Sequence, residues 1–333
     1  MLIPILLLIL GLVLLWFGSD FVIESAKKLA QRFKLSHIFI GLTVVSIGTS
    51  LPEIFTSIYA AISNLKGVPV SGLAVGVNIG SSITQMTLVV GLVAFTSILK
   101  ADKKTLSRDG IVILLAILAV YLFGLSGFIS KLEGILLLLG YAAYLFFLSR
   151  DERRDRKASP LLKEPVDAIE IKSRKLVHRP WMVLLIMLGG LGLLILGGKF
   201  VVENAIILAE GLNLTNTFVG VIIVGVGGAL PELSTALKGI FKKAHGISLG
   251  TLIGSNITNP LLAMGLGAVI SGLTFSRSLL FFELPFWALT IIVVMLLLKK
   301  NLTVDRHERK EGVILICLYI LFVFMRIVFF RHA

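Results

Sequence analysis

Cysteine and histidine are scarce in this chain of 333 residues. The single cysteine, Cys317, excludes a disulfide framework and a metal site built from cysteine thiolates. The five histidines fall in loops or at the C-terminus, which argues against haem ligation and against a buried serine–histidine dyad: His37, His178, His245, His307 and His332. An intramembrane hydrolase would need a serine with a histidine, or a pair of aspartates, at membrane depth, and the predicted spans offer neither.

Charged residues are also few, at 15% of the chain, whereas 56% of residues are hydrophobic and the mean hydropathy is +0.98. Soluble domains are about half apolar and about a quarter charged, so this composition predicts an all-α polytopic membrane protein. Ten segments are long and apolar enough to cross a hydrocarbon core of roughly 30 Å: 2–18, 37–62, 72–97, 111–127, 132–149, 181–208, 214–239, 248–272, 279–298 and 312–330. No basic residue precedes the first segment, so we expect a first transmembrane helix and not a removed signal peptide.

The net charge of +13 would suit nucleic acid, but the distribution of this charge predicts membrane topology instead. With the N-terminus outside, 26 of the 32 lysines and arginines fall in loops on the inner side. The positive-inside rule favours this orientation. We therefore expect a multi-pass protein of the cell membrane that contacts the lipid bilayer and no nucleic acid, with both termini extracellular.

The two halves of the chain repeat each other. The segment GSDFVIESAKKLA (18–30) aligns with GGKFVVENAIILA (197–209) at an offset of 179, and NIGSSITQMTLVVG (78–91) aligns with LIGSNITNPLLAMG (252–265) at an offset of 174. Each half contains five predicted spans, an odd number, so the second half enters the membrane upside down. The predicted fold is ten transmembrane helices in two inverted five-helix repeats, 1–149 and 181–333, joined by a cytoplasmic linker, 150–180. Such repeats place a substrate site near the bilayer midplane.

Each half carries a proline and a glutamate side by side within a predicted span, at Pro52-Glu53 and Pro231-Glu232. Proline opens a helix because it has no N–H and crowds the carbonyl four residues earlier, and open backbone at membrane depth must line a cavity or be buried in protein. A carboxylate at the bilayer centre costs at least about 2.5 kcal/mol. No lysine or arginine lies at a matching depth in the predicted spans, so the pattern predicts that a bound cation neutralises the two glutamates.

Polar residues accompany the glutamates at helical spacing. They are Ser46, Ser50 and Ser57 with Glu53, bordered by Thr49; Asn78, Ser81 and Gln85 on the next helix; and Ser255 and Asn259, flanked by Asn256 and Thr258, in the second half. All of these groups offer oxygen, which suits a hard cation such as Ca²⁺. The alternative interpretation is that the hydroxyls bond back to their own helices and that the small residues serve close packing.

Two motifs carry a family resemblance. GTSLPE (48–53) and GGALPE (227–232), followed by Gly-Ser-x-Ile at 80–83 and 254–257, resemble the two alpha repeats of the cation/calcium antiporter superfamily, and most closely its prokaryotic sodium/calcium exchanger branch. The motifs cover 46–91 and 225–265. The resemblance implies a secondary antiporter, and not an enzyme, that exports Ca²⁺ against inward Na⁺ by alternating access. Ca²⁺ and Na⁺ are then the transported ions, and no organic cofactor is implied.

The resemblance also implies a ligand set. Glu53 and Glu232 match the two carboxylates that coordinate Ca²⁺ and share the Na⁺ sites. Flanking ligand positions match at Thr49, Ser50, Ser81, Gln85, Ser255 and Asn259, and backbone ligands match at the carbonyls of Ser46 and Gly225. The first and sixth helices are implied to slide against the other eight. We expect the monomer to be the functional unit.

Gly228 and Ala229 depart from the family pattern, which usually has threonine and serine at these two places. We expect the loss of two hydroxyls to weaken at least one Na⁺ site more than the Ca²⁺ site. The counter-ion therefore stays open, with Ca²⁺/H⁺ exchange or K⁺-linked exchange as the alternative to Na⁺. A cation channel is a more distant alternative, because channels normally obtain their symmetry from rings of identical subunits.

Other charged residues lie near the ends of predicted spans. Asp20 and Glu24 follow the first span, and Lys199 and Glu203 occupy the equivalent places in the sixth. We interpret them as interfacial residues whose charged groups reach the membrane surface. Glu283, close to Pro285, is interpreted as the interfacial start of the ninth span.

Overall fold

The computed structural model describes residues 2–67, 71–96, 103–158, 180–208, 225–301 and 309–329. The α-helices in the first half of the chain are α1 (Leu2–Phe33), α2 (His37–Ile40), α3 (Ser46–Thr49), α4 (Leu51–Leu65), α5 (Ser71–Thr84), α6 (Val90–Thr96), α7 (Lys103–Gly124) and α8 (Lys131–Ala158). Those in the second half are α9 (Pro180–Leu208), α10 (Gly225–Gly228), α11 (Leu230–Phe241), α12 (His245–Thr258), α13 (Met264–Ser271), α14 (Leu284–Asn301) and α15 (Arg309–Phe329). π-Helical turns occupy Gly41–Val45, Gln85–Val89, Asn259–Ala263 and Leu279–Glu283.

The predicted helical membrane architecture is confirmed in outline. Within the described ranges, seven helical segments are long and apolar enough to cross a membrane, and an eighth results if His37–Thr49 and Leu51–Leu65, bent by 44°, form one span. The apolar part of α9, Trp181–Gly197, is shorter. Residues 159–179 of the predicted linker and residues 214–224 of the predicted seventh span lie outside the described residues.

Equivalent helices of the two halves share local features as well as sequence. α5 and α12 each continue directly into a π-helical turn, at Gln85 and at Asn259. α3 and α10 are each followed, after one intervening residue, by a helix with proline in its first turn. The repeated sequence therefore produces the same local structure twice.

The two halves interlock where small residues let backbones approach closely. A β-carbon added to Gly225 would lie 2.9 Å from the carbonyl carbon of Gly80, which places α10 against α5. A β-carbon added to Gly254 would lie 2.6 Å from the β-carbon of Ser46, which places α3 against α12. Each broken span thus packs on a polar helix of the opposite half, and this exchange brings the two Pro-Glu motifs together.

α1 and α9 pack along each other in the same manner. A β-carbon on Gly18 would lie 2.8 Å from the carbonyl oxygen of Gly190, and one on Gly197 would lie 2.7 Å from the carbonyl oxygen of Gly11. These are the helices that the family resemblance implies to be a sliding pair. The structure brings the backbones of the two helices close together at these glycines, and the sliding itself stays a prediction.

Contacts between helix ends divide into two groups. Ser71 Oγ lies 2.7 Å from Thr274 Oγ1, and the strands β1 (Phe128–Ile129) and β2 (Leu273–Thr274) pair in antiparallel fashion, so predicted outer loops are joined. At the opposite ends, Ser36 donates to Glu152 and Arg108 donates to Asp151, which joins predicted inner loops. Loops predicted to share a side of the membrane therefore meet, whereas the side that faces the cytoplasm stays a prediction.

The interpretation of Glu283 as an interfacial helix start was wrong, whereas the interfacial position of Asp20 and Glu24 stays a prediction. α1 continues to Phe33, and Lys242 Nζ lies 2.9 Å from Asp20 Oδ1 and 2.6 Å from Glu24 Oε1. Glu283 is fully buried, and its Oε1 lies 3.1 Å from Nη1 of the equally buried Arg326. A partner on another helix stabilises each charge, so none of them has to reach the membrane surface alone. Lys199 is exposed in α9, and the side chain of Glu203 lies outside the described part of the structure.

Candidate cation-binding site

Each Pro-Glu motif stands at a break in a helix. Ser50 separates α3 from α4 with φ −82° and ψ 5°, and Ala229 separates α10 from α11 with φ −77° and ψ −5°. Glu53 and Glu232 lie in the first turns of the helices that follow. A helix N-terminus stabilises negative charge through its unpaired N–H groups and its dipole. The breaks therefore place two carboxylates where the backbone itself favours their ionised form.

Both carboxylates are fully buried and are held in the same way. Ser81 Oγ donates to Glu53 Oε1 at 2.7 Å, and Ser255 Oγ donates to Glu232 Oε1 at 3.1 Å. Within the described ranges, no group donates a hydrogen bond to the other oxygen of each carboxylate, Oε2. Equivalent serines of the two repeats thus hold one carboxylate oxygen of each glutamate, and the second oxygen is available to bind a cation.

The two glutamates are close enough for their charges to interact. Among the described residues, no lysine or arginine forms an ion pair with either of them. Two like charges buried together repel each other and lack solvation by water, which is unfavourable unless a counter-charge is present. A cation bound between them is the simplest counter-charge.

Several buried oxygens of the polar helices and of the two glutamates have no hydrogen-bond partner in the part of the chain that the structure describes. They are Ser50 Oγ, Asn78 Oδ1, Asn259 Oδ1 and the Oε2 atoms of Glu53 and Glu232. Buried polar atoms are nearly always paired in proteins, so a group of unpaired oxygens needs an explanation. Ca²⁺ takes six to eight oxygen ligands and Na⁺ is also a hard cation, so the donor set fits the predicted ions. No group of three or more histidine, cysteine or acidic side chains suited to a metal occurs in the described ranges, so the neutral oxygens matter here.

The alternative interpretation of the hydroxyls holds for some residues and not for others. The hydroxyls of Ser46 and Thr49 donate to backbone carbonyls of their own helix, at Leu42 and at Ser46, as hydroxyls in membrane helices often do. Ser81 and Ser255, by contrast, donate to the carboxylates. The polar faces therefore combine helix back-bonding with residues directed at the site.

Some predicted ligand atoms already have partners. The carbonyl oxygen of Ser46 accepts from Ser50 N at 3.0 Å and from Thr49 Oγ1 at 3.3 Å, and that of Gly225 accepts from Ala229 N at 3.2 Å. Gln85 uses both ends of its amide in hydrogen bonds to Ser81 and Asn256. A carbonyl oxygen has two lone pairs, so the Gly225 carbonyl can still bind a cation, whereas the Ser46 carbonyl already accepts two hydrogen bonds. The oxygen of Gln85 is turned towards Asn256.

Three residues near the site were not among the predicted ligands. Asn78 donates to Ser57 Oγ at 2.9 Å and keeps an unpaired oxygen. Asn256 and Trp287 form a hydrogen bond beside Gln85. The helical spacing marks Asn78 and Asn256 as polar neighbours, but no local pattern singles out Trp287, because a lone tryptophan in an apolar helix is typical of core packing.

A family model described as "Sodium/calcium exchanger protein" matches residues 3–150 and 182–328. The curated relatives include the sodium/calcium exchanger MaX1 of Methanosarcina acetivorans, 30% identical over 346 residues that cover 96% of this chain and 97% of the relative. The inner membrane protein YrbG of Escherichia coli is 31% identical over 275 residues, which cover 81% of each protein.

Solved structures give the same result. A structure of the sodium-calcium exchanger NCX_Mj, soaked with Na⁺ and Ca²⁺, superposes with a TM-score of 0.76 at 28% sequence identity and covers 99% of both chains. The likeness extends over the whole chain and is not limited to the motif helices.

Proposed function

Because the chain belongs to the sodium/calcium exchanger protein family, and is therefore a membrane transporter and not an enzyme, we propose that it exchanges Ca²⁺ for Na⁺ by alternating access. The observation that carries this proposal is the pairing of two fully buried glutamates, Glu53 and Glu232, one from each half. Two carboxylates balance the charge of one Ca²⁺ or of two Na⁺. Competition of the two ions for the same carboxylates couples their opposite movements.

In the proposed site, Oε2 of each glutamate binds the cation directly. The Ser81 and Ser255 hydroxyls hold the other carboxylate oxygens in place, so the two free oxygens stay directed at the ion. Ser50 Oγ and Asn259 Oδ1 are unpaired neutral oxygens that complete the coordination. Thr49, which lies beside Glu232, belongs to the same set.

We further propose that the ten predicted spans form two inverted five-helix repeats with both termini outside and the 150–180 linker in the cytoplasm. The matching π-helical turns after α5 and α12 and the grouping of loop contacts support this arrangement. Both glutamates come from one chain, so a monomer suffices to bind and carry the ion.

A Ca²⁺ antiporter coupled to H⁺ or K⁺ is the second candidate. Gly228 and Ala229 provide no hydroxyl oxygen on their side of the site, and Na⁺ depends more on such neutral ligands than Ca²⁺ does. A cation channel is distinguished by flux, because a channel needs no opposing gradient to move Ca²⁺.

Transport into inside-out membrane vesicles tests these proposals. We expect vesicles loaded with Na⁺ to accumulate ⁴⁵Ca²⁺, and vesicles loaded with K⁺ or given a pH gradient to accumulate much less. Glu53→Gln and Glu232→Gln should each abolish accumulation, since each removes one negative charge from the ion site. Glu133→Gln is the matched control, because glutamine also satisfies the helix cap that Glu133 forms with Ser130.

Three results would contradict parts of this proposal. Accumulation that persists in both site variants would exclude the two-glutamate site. Accumulation driven equally well by K⁺ or by protons would exclude Na⁺ as the specific counter-ion. Ca²⁺ entry without any opposing gradient would indicate a channel.

A further inference from the structure

A chain of hydrogen bonds connects Trp287 on α14 to the carboxylate of Glu53. Trp287 Nε1 donates to Asn256 Oδ1 at 3.0 Å, and Asn256 Nδ2 donates to Gln85 Oε1 at 2.8 Å. Gln85 Nε2 then donates to Ser81 Oγ at 3.1 Å, and Ser81 Oγ donates to Glu53 Oε1 at 2.7 Å. All five side chains are fully buried, and they come from four different helical segments.

The donor-to-acceptor direction of these hydrogen bonds is set by Trp287, at the end of the chain farthest from Glu53. An indole N–H can only donate, so the oxygen of the Asn256 amide must face Trp287 and its nitrogen must face Gln85. The oxygen of the Gln85 amide must then face Asn256, and its nitrogen must face Ser81. Ser81 accepts from Gln85 and directs its own hydrogen to the carboxylate, which only accepts. Each amide orientation follows from the one before it.

The equivalent amide of the second half is turned the other way. Asn259 occupies the place of Gln85 at the offset of 174 residues, and both residues open a π-helical turn. Asn259 Nδ2 donates to Ser82 Oγ at 3.2 Å, and no described residue donates to the buried Asn259 Oδ1. One amide of the pair therefore turns an N–H towards the site, and the other keeps a free oxygen.

We propose that Trp287 is a positioning residue for cation binding. Acting through Asn256 and Gln85, it holds Ser81 as the donor to Glu53 and removes the Gln85 oxygen from the ligand set. A cation then takes an amide oxygen from Asn259 and none from Gln85. The inference deepens the proposed function and rests on its two-glutamate site.

Equilibrium binding of ⁴⁵Ca²⁺ to the purified full-length protein tests the inference without any transport step. Trp287→Phe keeps the aromatic ring and removes the N–H, so the amides are free to turn and Ser81 is no longer held as a donor to Glu53. We expect the Ca²⁺ dissociation constant to rise about five- to tenfold, which is the effect of one hydrogen bond. Thr290→Val is the matched control, because the Thr290 hydroxyl is equally buried on the same helix and donates only to the Phe286 carbonyl.

Combination with Ser81→Ala separates positioning from packing. If Trp287 acts through Ser81, then Trp287→Phe should change the dissociation constant less than twofold once the Ser81 hydroxyl is gone. A packing defect would give the same factor with and without Ser81, since independent effects add. Gln85→Met interrupts the chain at its middle and should behave like Trp287→Phe in both backgrounds, which provides a second route if the tryptophan variant does not fold.

Each outcome has a definite meaning. The inference would be overturned if Trp287→Phe and Gln85→Met left Ca²⁺ binding unchanged. It would also be overturned if they raised the Ca²⁺ dissociation constant by the same factor with Ser81 and with Ser81→Ala. If the unaltered protein shows no Na⁺-driven Ca²⁺ uptake, but the effect of Trp287→Phe on Ca²⁺ binding still depends on Ser81, the proposed exchange would be overturned and the inference would stand. Absence of saturable Ca²⁺ binding in the unaltered protein would overturn both.

Discussion

Gly228 lies directly against the carboxylate of Glu53. A β-carbon at position 228 would stand 2.6 Å from Glu53 Oε1 and 3.5 Å from Ser81 Oγ. Thr49 occupies the equivalent place in the first half and lies beside Glu232. The glycine therefore does more than remove a hydroxyl from the site. It also leaves the space that the Glu53 carboxylate occupies, which a side chain at position 228 would fill.

Gly228→Ala should weaken Ca²⁺ binding. The added methyl group displaces the Glu53 carboxylate from Ser81, and overpacking of this kind costs about 1–3 kcal/mol. The Ca²⁺ dissociation constant of the purified protein should therefore rise about tenfold or more. Gly189→Ala is the control, because a β-carbon there meets no atom within 4 Å. Equal Ca²⁺ affinity in the two variants would show that Glu53 is free to move.

Ala229→Ser should strengthen the effect of Na⁺. Ala229 already has a β-carbon at this buried break, so serine adds one oxygen and leaves Glu53 undisturbed. We expect the Na⁺ concentration for half-maximal Ca²⁺ exchange to fall about two- to tenfold, in keeping with one added polar contact. Ala229→Cys has a similar size and offers a soft sulfur that Na⁺ does not favour. If serine and cysteine give the same Na⁺ dependence, the hydroxyl does not act as a ligand.

The sequence was sufficient to predict the helical membrane class, because uninterrupted apolar segments have few other stable structures. The positions of Pro52 and Pro231 were sufficient to predict the two breaks, since proline acts on its own helix. Local patterns carry this information without reference to any distant residue. The family comparison agrees with the resemblance that the Pro-Glu motifs indicate.

The orientation of side chains at the site depends on residues that are far apart in the chain, so local patterns could not predict it. The family resemblance implies that Gln85 is a ligand, and its spacing places it on the polar face. Its oxygen accepts a hydrogen bond from Asn256, which is 171 residues away, and this contact stands in no local pattern. Glu283 was interpreted as interfacial for the same reason, since its partner, Arg326, lies on a helix that is distant in sequence. Pairing between helices decides such cases.

Lys242 should stabilise the fold at neutral pH through its contacts with α1. Lys242 follows the last residue of α11, and it bonds to Asp20 and Glu24. Burial lowers the pKa of Lys242, but hydrogen bonds to Glu24 and Asp20, together with their charges, raise it above the ordinary value of 10.5. The pKa of Lys242 is thus higher in the folded protein than in the unfolded protein. The stabilisation is therefore complete below pH 10.5 and is lost as the pH rises through the pKa of the folded protein.

Thermal unfolding in detergent measures this contribution. Lys242→Gln should lower the unfolding temperature by a few degrees at pH 8, in keeping with about 1 kcal/mol for a partly exposed pair. The difference from the unaltered protein should shrink above pH 10.5. Lys66→Gln, at an exposed helix end, should have little effect at any pH. A deficit for Lys242→Gln that does not depend on pH would indicate packing of the side chain and not its charge.

Arg326 and Glu283 should behave as a unit in stability. Their N–O distance of 3.1 Å is that of an ion pair, although the angle does not meet hydrogen-bond geometry, and both side chains are fully buried. Arg326→Met alone leaves the Glu283 carboxylate buried without its partner, which costs about 3–5 kcal/mol.

The double variant Glu283→Gln with Arg326→Met removes both charges and should recover most of that loss. Thermal unfolding of the single and double variants measures the coupling. Ca²⁺ binding of the double variant should match that of the unaltered protein, since neither residue contributes to the proposed site. If the double variant is as unstable as the sum of the single variants, the two charges do not depend on each other, and Arg326 stabilises its helix through packing.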